Sequence, residues 1–191
     1  MWSGVLKFSA RTEPEKNKSS NENSSTSVVK EAMLPEGWVK YTSGEFGYSV
    51  AYPDGWNVRE ENTGKRDLLI MAPKSAAFVR ISAFKDESLD SEEAVKASML
   101  KYKASFTEKP DEQVKEFKTE TKNGLGYFGV SGFMLVSGAS YQFLEKGILS
   151  PNGRALIMRG AVDTREESMT EAEFQEFVKA VKQIINSFTI L

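Results

Sequence analysis

The chain has 191 residues, a formal net charge of −2 and the apolar and charged fractions of a globular protein, enough for one ordinary domain and a tail. The slight acidity excludes a dedicated nucleic-acid binder, which needs a basic surface to displace counterions from phosphate. Cysteine and histidine are both absent, which excludes disulfides, thiolate metal sites, cysteine nucleophiles and the Ser-His-Asp mechanism.

Residues 1–34 read as a tail. "MWSGVLKFSA" is apolar at its start, but Ser3, Gly4 and Lys7 break it and it is too short for a signal-peptide core. Arg11 to Ser27 is almost all Ser, Asn, Glu, Lys and Thr. Such a segment buries too little apolar surface to offset the entropy of ordering it, so disorder is predicted. Its composition suits a tether to a membrane or cell wall, and equally an ordinary frayed terminus. No apolar run is long enough to span a bilayer as a helix. From Pro35 the pattern turns regular, which places a single domain over residues 35–191.

"EFGYSVAYPDGW", Glu45 to Trp56, opens that domain. Tyr48, Val50 and Tyr52 alternate with Ser49 and Ala51, as on a half-buried strand. Pro53 stops the strand because it cannot donate to a ladder, and Pro-Asp-Gly supplies turn chemistry. Trp56 and Val58 then open a second strand and share one face. Core packing, and not a binding surface, accounts for Tyr52, Pro53 and Trp56.

Two short strands follow, around Leu68–Met71 and Phe78–Phe84. A helix begins after Ser91, a fair N-cap, with Glu92 and Glu93 complementing the helix dipole and Val95, Met99, Tyr102 and Phe106 forming a stripe. Val114 to Thr121 leads into Asn123–Gly124, a hairpin signal. Phe128, Val130, Gly132, Met134 and Val136 make one face of the next strand. Tyr141–Leu149 and Ala155–Val162 complete a meander that pairs antiparallel. In the last helix Thr170 and Glu173 have capping-box spacing, and Phe174, Phe177, Val178, Val181, Ile184, Ile185 and Phe188 form a stripe that needs a sheet face.

Two motifs invite a functional reading. Gly124, Gly126 and Gly129 match GxGxxG, but the run continues as a strand, so the helix N-terminus that would hold phosphate is missing. Asp86, Glu87, Asp90, Glu92 and Glu93 surround the start of the first helix. They could take a hard cation weakly, yet lack the spacing and central glycine of an EF-hand loop. A solvated loop that complements the helix dipole is the simpler account.

"EFGYSVAYPDGWNV" resembles the start of the PsbP-like family, where a strand ends in an aromatic–Pro–x–Gly–Trp turn. "VKQIINSFTIL", Val181 to Leu191, is similar to that family's closing helix and Ser-Phe-led tail, and the order of elements over residues 40–191 agrees. The resemblance implies an α/β/α sandwich with a central antiparallel sheet flanked by helices. Plant and cyanobacterial members are extrinsic lumenal proteins of photosystem II. Bacterial and archaeal relatives, many exported, have no known role, and a eukaryotic relative of the fold is a Ran-binding import factor. Histidine, proposed as a contact in photosynthetic members, is absent here, so no metal site is carried over. The cyanobacterial lipid anchor needs a cysteine, which this sequence does not contain.

The resulting expectation is a non-catalytic, monomeric, extracytoplasmic domain at a membrane, acting through contacts with a protein partner as an accessory or assembly factor. No cofactor, no metal, no catalytic residue and no nucleic-acid partner are assigned. A small-ligand binder, a carboxylate-dependent hydrolase and a Ran-binding-like protein are the alternatives.

Overall fold

The computed structural model describes residues 34–62, 66–165 and 169–191. All of the expected tail except Leu34 lies outside them, as do residues 166–168 in the loop before the last helix.

The described elements are β1 Trp38–Ser43, β2 Tyr48–Pro53, β3 Asn57–Asn62, β4 Arg66–Met71, β5 Ala77–Lys85, α1 Glu92–Ser105, β6 Glu112–Lys122, β7 Leu125–Val136, β8 Ala139–Leu149, β9 Arg154–Asp163, α2 Glu171–Ser187 and β10 Thr189–Ile190. Seven strands form an antiparallel sheet in the order β3-β4-β5-β9-β8-β7-β6, and a three-stranded sheet has the order β1-β2-β10. The helix α1 packs on β7 and β6, and α2 packs on β9, β5 and β2. Each lies over its own apolar cluster, one holding Val95, Met99, Phe106, Phe128 and Phe143, the other Val79, Ile81, Met158, Val181, Ile184 and Ile185. Helices therefore cover both faces of the large sheet, giving an α+β fold of the α/β/α type.

Local chemistry sets these elements. Asn123 and Gly124 have φ of 52° and 74°, the conformation that a tight hairpin turn requires. Thr170 and Glu173 form a full capping box at the start of α2, and the Ser91 hydroxyl accepts from the Ala94 amide at the start of α1. Two glycines let the helices sit close. A Cβ on Gly126 would fall 2.4 Å from Val95 Cγ1 of α1, and one on Gly160 would fall 2.3 Å from Val181 Cγ1 of α2.

Several expectations need correction. The alternation at Tyr48–Tyr52 does not hold: Tyr48, Ser49, Val50 and Ala51 are all buried. β2 is the central strand of the small sheet: Tyr48 and Val50 join the α2 cluster, and the Ser187 hydroxyl at the end of α2 lies 2.9 Å from the Ala51 amide at the strand's edge. Val136 lies on the expected face of β7 but is 48 % exposed, at the end of the strand beyond the buried core. Trp56 and Val58 pack on the α2 cluster as expected, but Trp56 is half-buried and meets Phe177 edge-on at 6.2 Å. β1 and β10 were not foreseen.

Candidate functional site

Among the described residues two places are the candidates. The first lies beneath α1. Glu145 on β8 and Arg159 on β9 are direct cross-strand partners, and Glu145 is 1 % exposed. Arg159 Nε donates to Glu145 Oε2, and its Nη1 donates to Glu112 Oε1 at 2.8 Å. The Tyr102 hydroxyl of α1 donates to Glu145 Oε1. The Arg159 guanidinium also lies over the Phe143 ring, 5.0 Å from its centroid, and Lys109 Nζ is 3.5 Å from Glu112.

Electrostatics fix the proton positions. Burial pushes the Tyr102 phenol up, and the charge of Glu145 and its hydrogen bond add to this, so the phenol stays protonated at neutral pH. Burial pulls Arg159 down, but Glu145 and Glu112 more than offset it, so the guanidinium stays charged. Two carboxylates face two cations, Arg159 and Lys109, and both oxygens of Glu145 are occupied. Such a cluster ties α1 to the sheet. It offers no free nucleophile or base.

The second place is the opposite face of β6, β7 and β8. In the layer that holds α2, the helix stops short of these three strands. The register lays out their side chains in rows. Glu120, Tyr127, Ile148 and Leu156 make one row across β6 to β9, and Lys118, Gly129, Lys146 and Met158 the next. Glu116, Ser131, Leu144 and Gly160 follow. Between this face and α2 runs a groove with a cavity of about 700 Å³ bordered by Tyr127, Ile148, Met158, Ile185 and Phe188. A second hollow of about 280 Å³ continues it past Ser131, Leu144, Val178 and Lys182. Its floor is formed by half-buried Tyr127, Gly129, Ser131, Leu144 and Ile148, rimmed by the charged side chains of Glu116, Lys118, Glu120 and Lys146.

Charge is unevenly spread along the groove. Lys118 pairs with Glu116 at 2.7 Å on the β6 side. On the α2 side Lys146 Nζ lies 3.1 Å from the amide oxygen of Asn186, a neutral partner. Lys182 stands one helical turn before Asn186 and lines the same groove.

The motifs singled out in the sequence take other roles. Gly124 makes the hairpin turn, Gly126 seats α1, and Gly129 lies on the open face, so GxGxxG is no phosphate loop. Asp86 accepts from the Ser88 amide at 3.0 Å and from its hydroxyl, which hold its carboxyl below the usual range. Among the described residues no three acidic side chains converge as metal ligands would. The buried cluster was not foreseen, and an apolar pocket between the sheet and a helix was expected only for a small-ligand binder, without its residues. The signal for the groove was present: Leu125, Tyr127, Phe133 and Leu135 make the second face of β7 apolar as well.

No protein-family model matches the sequence. No curated protein matches it either. Solved structures do. Cyanobacterial PsbP (CyanoP) from Synechocystis sp. PCC 6803 superposes with a TM-score of 0.55 at 12 % identity, over 84 % of this chain and 96 % of that one. The fold is PsbP-like. The Ran-binding protein Mog1p of Saccharomyces cerevisiae has a TM-score of 0.50 at 9 % identity, over 80 % of this chain and 95 % of that one. At these identities the likeness is one of fold.

Proposed function

We propose that this PsbP-like chain is a non-catalytic domain that acts through contact with a protein partner, as an accessory or assembly factor at a membrane, outside the cytoplasm. The observation that carries the reading is the groove on β6–β8: an apolar, half-buried sheet face that no helix of the described chain covers. Faces of this kind on folded proteins are sites of interaction. The buried cluster supports it by contrast, because its charged groups satisfy one another. A Ran-binding protein of the same fold shows that the fold can serve protein recognition. The linker-like composition of Arg11 to Ser27 supports a tether, with the domain over residues 35–191.

The test is a pull-down from native membranes with the full chain, comparing wild type with Tyr127→Glu and Gly129→Trp. Both substitutions alter the groove, and a denaturant melt establishes that each variant folds. A partner retained by wild type and lost from both folded variants supports the reading. Equal recovery by all three overturns it.

A further inference from the structure

We infer that the groove on β6–β8 receives an amphipathic α-helix of the partner, carrying two acidic residues one turn apart on the flank that faces α2. This deepens the proposed function and rests on it.

The geometry of the layer points to a helix. Both α-helices among the described residues are seated over a glycine of the large sheet: α1 over Gly126, α2 over Gly160. Gly129 occupies the same kind of seat and is open, since a Cβ there would meet only the Glu145 carbonyl oxygen, 4.0 Å away. Gly129 lies on β7, two strands from β9, where α2 packs. Two strand spacings come to about 9.6 Å. Packed helices lie about 8–10 Å apart. A helix laid beside α2 thus comes down over Gly129 and Ser131, with Ile148 and Leu144 on its α2 side and the β6 side chains on the other. From Tyr127 to Phe133 the seat is about 20 Å long. That length accommodates about 13 residues of helix.

Charge then selects the partner's chemistry. On the β6 wall Lys118 pairs with Glu116, and Glu120 beside Tyr127 and Lys115 over the Phe133 ring add one charge of each sign, so that wall carries no net charge. The α2 wall carries Lys146 and Lys182, and no carboxylate among the described residues pairs with either. Because Lys146 is anchored at Asn186, the two cations are spaced by one turn of α2. Acidic residues at i and i+4 on a parallel or antiparallel helix repeat that spacing. The apolar floor takes the partner's i, i+3, i+4 stripe, the helix-in-groove mode of recognition.

The test uses the full, isotope-labelled chain and a stapled helical peptide of about 14 residues. The peptide has a leucine stripe and two glutamates one turn apart on one flank. Amide shifts are expected at Gly129, Ser131 and Lys146. Changing both glutamates to lysine is expected to weaken binding at least about tenfold, equivalent to about 1.4 kcal/mol. The double variant Lys146→Glu/Lys182→Glu, on exposed positions, is expected to reverse that preference. A preference unchanged in the double variant overturns the charge assignment. Tighter binding of an extended peptide, tighter binding of laurate, or sedimentation of the free chain as a dimer closed through Tyr127 overturns the helix. If these tests fail while Tyr127→Glu still loses its membrane partner, the inference falls and the proposed function stands. If Tyr127→Glu keeps its partner, both fall.

Discussion

Glu145 and Arg159 face each other in register across β8 and β9, and Arg159 Nε donates to Glu145 Oε2 beneath α1. The pair spends two charges where the core could have held leucine and methionine. Removing Glu145 alone leaves Arg159 with Glu112 as its carboxylate partner. Glu145→Ala is expected to cost about 3 kcal/mol in a denaturant melt, because the Tyr102 hydroxyl loses its acceptor and Arg159 Nε its partner. The double variant Glu145→Leu/Arg159→Met is expected to recover about half of that loss. A double variant no more stable than Glu145→Ala would show that the pair is not a unit.

Tyr48 gives the fold an alkaline limit. Burial raises its phenol first, the nearby charges of Glu60 and Asp67 add to this, and the value reaches about 12. The folded state therefore holds a proton that the unfolded chain releases near pH 10. Its contribution to stability is complete below pH 10 and falls as pH rises toward about 12. Alkaline denaturant melts should show that decline, and Tyr48→Phe should flatten it. A decline of the same slope in Tyr48→Phe would assign it elsewhere.

The two seats of the helices differ from the open one in a measurable way. Gly160→Ala puts a Cβ 2.3 Å from Val181 Cγ1 and 3.0 Å from Ile185 Cδ1, so α2 must lift. The expected cost is about 1–3 kcal/mol. Gly129→Ala adds the same atom to an unoccupied hollow and is expected to stay within about 0.5 kcal/mol of wild type. Thermal melts of the two variants distinguish them, and similar losses in both would mean that Gly129 is not open.

Trp56 is half-buried and edge-on to Phe177, so Trp56→Ala removes packing from one side only. We expect a loss of about 2–3 kcal/mol, below that of a fully buried tryptophan. Trp2 and Trp38 must be replaced before its fluorescence can report alone. Ready quenching of Trp56 in the folded protein would place the ring in solvent.

Most of the architecture was legible in local pattern. The stripes of α1 and α2, the Asn123–Gly124 turn and the capping box all sit where spacing placed them, because each depends on near neighbours. The buried cluster was not legible. Glu145 and Arg159 are 14 residues apart, and their pairing depends on the β8–β9 register, which no local signal sets. β2 misled for a similar reason: Ser49 reads as a solvent-facing residue, yet it is buried where β2 pairs with Thr189 of β10, a strand no local signal announces. The groove lay between the two cases. The second apolar face of β7 was visible in "LGYFGVSGFMLV", but that α2 leaves it uncovered depends on where Gly160 seats the helix.

The most direct test of the groove as the proposed protein-contact surface is site-specific photo-cross-linking in the native host. A benzophenone side chain is placed at Tyr127 on the groove, and at Leu100, which is 68 % exposed on α1, as the control. A discrete protein adduct from position 127 and none from position 100 is the expected result. Adducts from position 100 alone, or the same adducts from both, would contradict the groove as the functional surface.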